Sequence, residues 1–335
     1  MPISFDWSET ISSLPVNPIP AEWLATRGQG VKVAFIDTGV NFTAASLKYL
    51  NQAGRKFFTG ADGFSVDKLT GQDPVFDDMG DSNSGHGTLY ASLLAGKTPD
   101  TPPPPPDADL VTGIANAAEF YIIKARDPSV TSTITNLKDA LELSAKLGIE
   151  IAILGQCVPM TELAGEGLTP AELDRVFGLP GVKQMHIFAA LENRSKGGDW
   201  NNITGGYFPN LRPEVFNVAK LPLVYDRVAN VIQAKPVQFL AAGFEGKLLS
   251  KDGGILDLKA VEPPVPNPAE EVAFSNSGAV AIVGGIAVLA ASFFKQQNGG
   301  AMPDRAQLTQ LLAAHSQQIA AASSDFSTPA LFNKF

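Results

Sequence analysis

Short runs of β-branched and other apolar residues recur along this chain, and segments long enough to form a helix separate them. The strand-like runs lie at 31–36, 120–124, 149–154, 186–191, 215–219 and 237–242. Helical patterns occupy 134–147, which Gly148 ends, and 168–178, where Thr169 and Pro170 form a helix start. Strands that alternate with helices pair in parallel, so the pattern predicts a three-layer α/β fold with helices on both faces of a mostly parallel sheet.

Two proline-rich stretches interrupt this pattern, at 98–107 and 261–268. The length of 335 residues would allow two domains. However, elements of the same buried character lie on both sides of each stretch, so neither separates two independent halves. We therefore predict one domain at 28–320 that contains both stretches as insertions, with an N-terminal extension at 1–27 and a C-terminal tail at 321–335.

Composition excludes several classes of protein. The single cysteine excludes an intramolecular disulfide and cysteine-based zinc or iron–sulfur sites. The formal net charge of −9 argues against nucleic acid and anionic membranes as partners. The N-terminus lacks the pattern of a signal peptide, and the longest apolar stretch, 280–294, is shorter than the roughly 20 residues that span a bilayer. We expect a cytoplasmic protein.

Three polar residues stand at the ends of predicted elements. In open parallel sheets, reactive groups gather at the carboxyl ends of the strands, and Asp37 directly follows the run 31–36. His86 precedes an apolar helical run at 89–95, and Ser277 precedes the most apolar helix of the chain. Taken singly, each of them could be a cap or a loop residue. Together they could act as orienter, general base and nucleophile.

The segments around these residues resemble the catalytic blocks of the subtilisin-like serine peptidases, or subtilases, in the order Asp, His, Ser that is known for subtilisin. The similar segments are VAFIDTGV at 33–40, GHGT at 85–88, FAALEN at 188–193 and FSNSGA at 274–279, which runs into VGGIA at 283–287. The third of these resembles the strand that ends in the family's oxyanion-hole asparagine, here Asn193. The resemblance extends from about residue 28 to residue 312.

This resemblance implies acyl transfer to and from a serine. Ser277 would attack a peptide carbonyl, His86 would move the proton, and Asp37 would fix the histidine tautomer. The side-chain amide of Asn193 and the backbone N–H of Ser277 would stabilise the oxyanion. The implied function is a serine endopeptidase that acts on peptide or protein substrates and needs no cofactor or metal.

The sequence departs from the family pattern near the nucleophile and in the substrate cleft. The segment SNSGAVA at 275–281 stands where the family has Gly-Thr-Ser-Met-Ala-x-Pro. One wall of the cleft usually reads Ser-Leu-Gly-Gly, and here the substrate-binding residues would be Gly155, Gln156 and Cys157. Two alternatives therefore stay open. One is a catalytically silent subtilase fold that binds peptides or proteins, and the other is an acyl transferase that cyclises or ligates peptides.

Other candidate motifs are weaker. The run ASLLAGKT at 91–98 matches a relaxed phosphate-binding loop, but it closes a predicted helix where such a loop opens one. We interpret it as a coincidence. His186 and His315 have no neighbouring set of ligands in the sequence, so we predict no metal site.

Overall fold

The computed structural model describes residues 19–52, 54–59, 85–97, 111–125, 133–191, 206–220, 239–241, 246–249, 255–258, 276–315, 317–320 and 327–331. Asn193 and both proline-rich stretches lie outside these residues. The predictions that concern them therefore stay predictions.

The described residues contain thirteen strands, most of which belong to one sheet. They are β1 Lys32–Asp37, β2 Lys56–Phe58, β3 Glu119–Lys124, β4 Ile151–Leu154, β5 Val158–Pro159, β6 His186–Ala190, β7 Tyr207–Phe208, β8 Val215–Lys220, β9 Phe239–Ala241, β10 Gly246–Leu249, β11 Ile255–Leu258, β12 Gln317–Ala320 and β13 Ser327–Leu331. The main sheet has the order β12-β13-β9-β8-β6-β4-β1-β3-β2. Its neighbours pair in parallel except β12 with β13. The prediction of a mostly parallel sheet is confirmed. The pairs β5–β7 and β10–β11 are separate antiparallel ribbons.

Helices cover both faces of this sheet. They are α1 Ala21–Thr26, α2 His86–Ala95, α3 Ile134–Lys146, α4 Pro170–Gly178, α5 Pro180–Gln184, α6 Asn276–Gln297 and α7 Arg305–Ala314, with 3₁₀ turns at Lys48–Leu50 and Met160–Glu162. The predicted start of α4 is confirmed, because Thr169 and Glu172 form a reciprocal capping box ahead of Pro170. In α3, the Thr133 hydroxyl accepts a hydrogen bond from the Asn136 N–H at 3.0 Å.

Alternating side chains of the central strand divide the core into two clusters. Val33 and Phe35 of β1 pack with residues of α1, α2, α6 and α7 on one face. Ala34 and Ile36 pack with residues of α3, α4 and α5 on the other face. The prediction of three layers is therefore confirmed.

The apolar helix α6 is the centre of the first cluster. By length and composition it could cross a membrane, but 83% of its most apolar window is buried inside the protein. It packs across β4, β6, β8 and β9 and against α1 and α2. It is therefore a core helix of the α/β fold, and its first turn is held over the carboxyl ends of the central strands.

Candidate active site

The carboxyl edge of the central strands brings the predicted residues together. Asp37 is the last residue of β1, and Gly155 directly follows the neighbouring strand β4. His86 is the first residue of α2, and Ser277 lies in the first turn of α6. The side chains of Asp37 and Ser277 are buried and that of His86 is 15% exposed. Four segments far apart in sequence thus meet at one place.

Asp37 and His86 form a short, oriented pair. The Nδ1 atom of His86 lies 2.6 Å from Oδ1 of Asp37, and the backbone N–H of Thr38 donates to the same oxygen at 2.7 Å. Since a carboxylate only accepts hydrogen bonds, we assign the Nδ1–H tautomer to neutral His86. This tautomer leaves the lone pair of Nε2 available to accept a proton.

The loop after β1 and the start of α2 are also joined directly. The backbone N–H of Gly87 donates to the Thr38 hydroxyl at 2.8 Å, and the N–H of Asn41 donates to the Thr88 hydroxyl at 2.9 Å. These bonds join the two polypeptide segments that carry the aspartate and the histidine. The orientation of the pair therefore rests on the backbone as well as on the pair itself.

Gly155 is a common neighbour of Asp37, His86 and Ser277. Its carbonyl oxygen accepts a hydrogen bond from Oγ of Ser277 at 2.8 Å. A Cβ atom on Gly155 would lie 2.2 Å from Oδ2 of Asp37 and 3.2 Å from Cε1 of His86. Within the described part of the chain, Oδ2 of Asp37 accepts no hydrogen bond. No bond joins Ser277 Oγ to His86 Nε2 there either.

The remaining predicted site residues are placed only in part. Gln156 and Cys157 are half-buried between Gly155 and β5. Asn193 lies outside the described residues, but Leu191, two positions earlier, is tied to the site. The side-chain amide of Asn276 donates to the carbonyl of Leu191 at 2.9 Å and so connects the end of β6 to the start of α6.

The other two histidines make contacts that belong to the packing of the fold. Nε2 of His186 lies 2.9 Å from the carbonyl of Pro303, and burial lowers the pKa of this imidazole. His315 packs edge to face on Trp23, with ring centroids 4.8 Å apart. The run 91–98 begins inside α2, which ends at Ala95. Among the residues placed by the structure, no three His, Cys, Asp or Glu side chains cluster as metal ligands would.

Sequence reasoning missed one neighbour of the histidine. The ring of Tyr90 packs edge to face on the imidazole of His86, with centroids 4.7 Å apart and an interplanar angle of 75°. The spacing of four residues in one helix was the available signal, because side chains at i and i+4 share a helix face.

The sheet order and the Asp37–His86 pair at its carboxyl edge define a subtilisin-like α/β protein. The model of the subtilase family (peptidase S8) matches residues 28–154, a range that contains Asp37 and His86 and ends before Ser277. This part of the chain is therefore similar to the subtilase family.

Similar proteins agree with this assignment. An intracellular serine protease of Paenibacillus polymyxa is 26% identical over 211 residues, which make up 63% of this chain and 55% of the relative. The match thus spans little more than half the length of that relative. Among solved structures, a cold-adapted subtilisin-like serine proteinase is 18% identical with a TM-score of 0.55, over 91% of this chain and 89% of the other. The MycP3 protease of a type VII (ESX-3) secretion system is 21% identical with a TM-score of 0.57, over 92% and 84%. These structures share the fold.

Proposed function

We propose that this protein is a serine endopeptidase that cleaves peptide bonds through an acyl-enzyme on Ser277. The observation that carries the proposal is the 2.6 Å contact between His86 and Asp37, with the Ser277 hydroxyl held on the adjoining carbonyl of Gly155. A buried carboxylate, an oriented imidazole and a serine hydroxyl are the three groups that nucleophilic acyl transfer needs. The match of residues 28–154 to the subtilase family model and the similarity to an intracellular serine protease support the same assignment.

Each proton and bond in the proposed reaction has a defined destination. The Ser277 hydroxyl turns from the Gly155 carbonyl toward His86, and Nε2 takes its proton as Oγ attacks the substrate carbonyl. The imidazolium, stabilised by Asp37, then protonates the leaving amine, and the amide C–N bond breaks. Water next attacks the ester and gives its proton to Nε2, and Ser277 regains a proton as the acid product leaves.

The oxyanion would be stabilised from two sides. The backbone N–H of Ser277 lies in the first turn of α6, where helix N–H groups have no carbonyl partner within the helix. The second donor is the side-chain amide of Asn193. Support for this donor comes from the sequence pattern at 188–193 and from the Asn276 bond to Leu191, which ties the preceding residues to the same helix start. Removal of one oxyanion donor typically costs roughly 10²- to 10³-fold in kcat.

We place the substrate along Gly155, Gln156 and Cys157. These residues continue from the carbonyl that holds Ser277 into β5, which pairs with β7. Gln156 and Cys157 are half-buried, so part of each residue is accessible to a substrate. Their side chains replace the ones that relatives have here, so we expect the preference for the residue before the cleaved bond to depend on them.

One observation favours a second candidate, a catalytically silent fold that binds peptides. The Ser277 hydroxyl donates its hydrogen bond to the carbonyl of Gly155, and no bond to His86 Nε2 is present among the described residues. Catalytic hydrogen bonds are often long or misaligned in free enzymes and tighten when substrate binds. Only a measurement of turnover separates the two candidates.

The deciding experiment is labelling of the purified protein with a fluorophosphonate probe, followed by incubation with an unfolded protein. We expect labelling and cleavage in the wild type and neither in Ser277→Ala or His86→Ala. Ser275→Ala, which removes the neighbouring serine, is the matched control and should retain both.

Labelling that persists in Ser277→Ala would remove this residue as the nucleophile. An unlabelled wild type that still binds peptides would favour the silent fold. Mass spectrometry that finds ligated or cyclised products would indicate acyl transfer to an amine.

We also propose that one catalytic domain covers 28–320, that the extension at 1–27 packs on it, and that the protein is cytoplasmic. Trp23 from the extension is buried in the same core cluster as α6, which supports the first two points. The relative from Paenibacillus polymyxa is named an intracellular protease, which supports the third. Fractionation of cells that express the full chain would test the location.

A further inference from the structure

The imidazole of His86 is enclosed by three different contacts. Asp37 holds Nδ1 at 2.6 Å, and Gly155 is so near that a Cβ on it would lie 3.2 Å from Cε1. The third contact is the ring of Tyr90, at 4.7 Å between centroids and 75° between planes. Tyr90 is 1% exposed and belongs to the core cluster behind the site, so its ring has little freedom to move away.

The helix itself brings the two rings together. His86 is the first residue of α2 and Tyr90 is one turn later, so both side chains lie on the same helix face. A long side chain in a helix points back toward the N-terminus and covers the preceding turn. The tyrosine ring therefore falls on the histidine, and the packing of α2 on the sheet prevents it from swinging out.

We propose that Tyr90 is a positioning residue that holds the His86 imidazole against Asp37 and aims Nε2 at Ser277. The hydrogen bond to Asp37 restrains one ring atom, but it leaves the imidazole free to tilt about that bond. A ring packed edge to face on the imidazole restrains this tilt. The inference rests on the proposed function, because the orientation of Nε2 matters only if His86 transfers a proton.

The informative substitutions are Tyr90→Leu and Tyr90→Phe. Leucine removes the aromatic contact, and we expect kcat to fall roughly 3- to 30-fold while KM stays within about twofold. The reason is that both the lost aromatic pair and a small misorientation of Nε2 affect the geometry of the reacting groups. Phenylalanine keeps the ring, so it should restore kcat to within about threefold of the wild type. Equal kcat values for the wild type and Tyr90→Leu would overturn the inference, and so would a Tyr90→Phe as slow as Tyr90→Leu.

Tyr49→Leu is the matched control. Tyr49 is a half-buried tyrosine that packs against the same core cluster, and its hydroxyl donates to the carbonyl of Ala95 at 2.6 Å. Its loss should lower stability without changing kcat. If Tyr49→Leu slows the enzyme as much as Tyr90→Leu does, the effect reflects general destabilisation and the positioning role is wrong.

NMR spectroscopy of histidine-labelled wild-type protein tests the contact without relying on activity, and the Tyr90→Leu variant then tests its effect on the bond to Asp37. In the wild type we expect nuclear Overhauser effects between the His86 and Tyr90 ring protons, and a downfield Nδ1 proton bound to Asp37. In Tyr90→Leu that proton should broaden or exchange faster. Absence of the ring contact in the wild type would refute the inference even if the protein is an active peptidase. A wild type that shows the contact but no fluorophosphonate labelling would refute the proposed function instead.

Discussion

Gly155→Ala tests whether close backbone packing holds the Asp37–His86 pair in place. The added Cβ would lie 2.2 Å from Oδ2 of Asp37, 3.2 Å from Cε1 of His86 and 3.4 Å from Cγ of Asp37. The first distance is far below van der Waals contact, so one of the two segments must move. Asp37 is 1% exposed and holds both His86 and the Thr38 N–H through Oδ1, so a rotated carboxylate would break both bonds.

The cost can be estimated from the effect of overpacking a buried site. Extra carbon atoms in a packed core typically cost about 1–3 kcal/mol. If Asp37 moves, the same energy is lost from the orientation of His86 as the general base. The rate of the chemical step then falls roughly 5- to 150-fold. If the backbone moves instead, the energy appears as a lower free energy of unfolding. We expect both effects, with their sum near this range.

The assays are the rate of fluorophosphonate labelling and the urea midpoint of unfolding. Gly178→Ala is the matched control. A Cβ there meets nothing within 4 Å, and Gly178 is the last residue of α4. Alanine at this position should leave labelling unchanged and alter stability by less than about 1 kcal/mol. The reasoning is refuted if Gly155→Ala labels and unfolds like the wild type, or if Gly178→Ala is equally impaired.

Three further predictions concern stability. Gly284→Ala in α6 should lower the free energy of unfolding by about 1–3 kcal/mol, because the added Cβ would lie 2.7 Å from Cδ1 of Ile153 in β4. Urea titrations measure this change, and an unchanged midpoint of unfolding would contradict the close approach. Thr169→Ala should cost about 1 kcal/mol by removing the capping box of α4, whereas Thr169→Ser should keep most of that stability. Burial lowers the pKa of His186 from its ordinary value of 6.5, so the unfolded chain binds the proton more readily and stability should fall as the pH drops below 6.5. Urea midpoints between about pH 7.5 and pH 5.5 should fall less in His186→Gln, and equal slopes would disprove the assignment.

The main elements of the fold could be predicted because their signals are local. Each of the six strand-like runs coincides with an observed strand within about two residues at its ends. The short strand β2, only three residues long, and the edge pair β12–β13 were missed. These strands lack a clear run of β-branched residues, and their pairing depends on partners distant in sequence, which a local pattern does not contain. Helix α1 was missed because its six residues are too few to show a helical period.

The candidate site likewise combines features that a local sequence pattern predicts with features that it does not. The positions of Asp37, His86 and Ser277 at element ends follow from local pattern, because strand ends and helix starts can be recognised within a few residues. Their distances to one another depend on strand order and register, which no local pattern contains. The order β4-β1-β3 places Gly155 beside Asp37, although 118 residues separate them in the chain.

The sequence by itself therefore determined the class of fold and named three candidate side chains for the proposed acyl transfer. Only the tertiary structure decided how they are held. In the folded protein the carbonyl of Gly155 accepts a hydrogen bond from the Ser277 hydroxyl, no space remains for a Cβ on Gly155 beside Asp37, and the Tyr90 ring packs edge to face on His86. The physical reason is that propensity and periodicity act over a few residues, whereas packing against a buried side chain depends on which distant segments the sheet brings into contact.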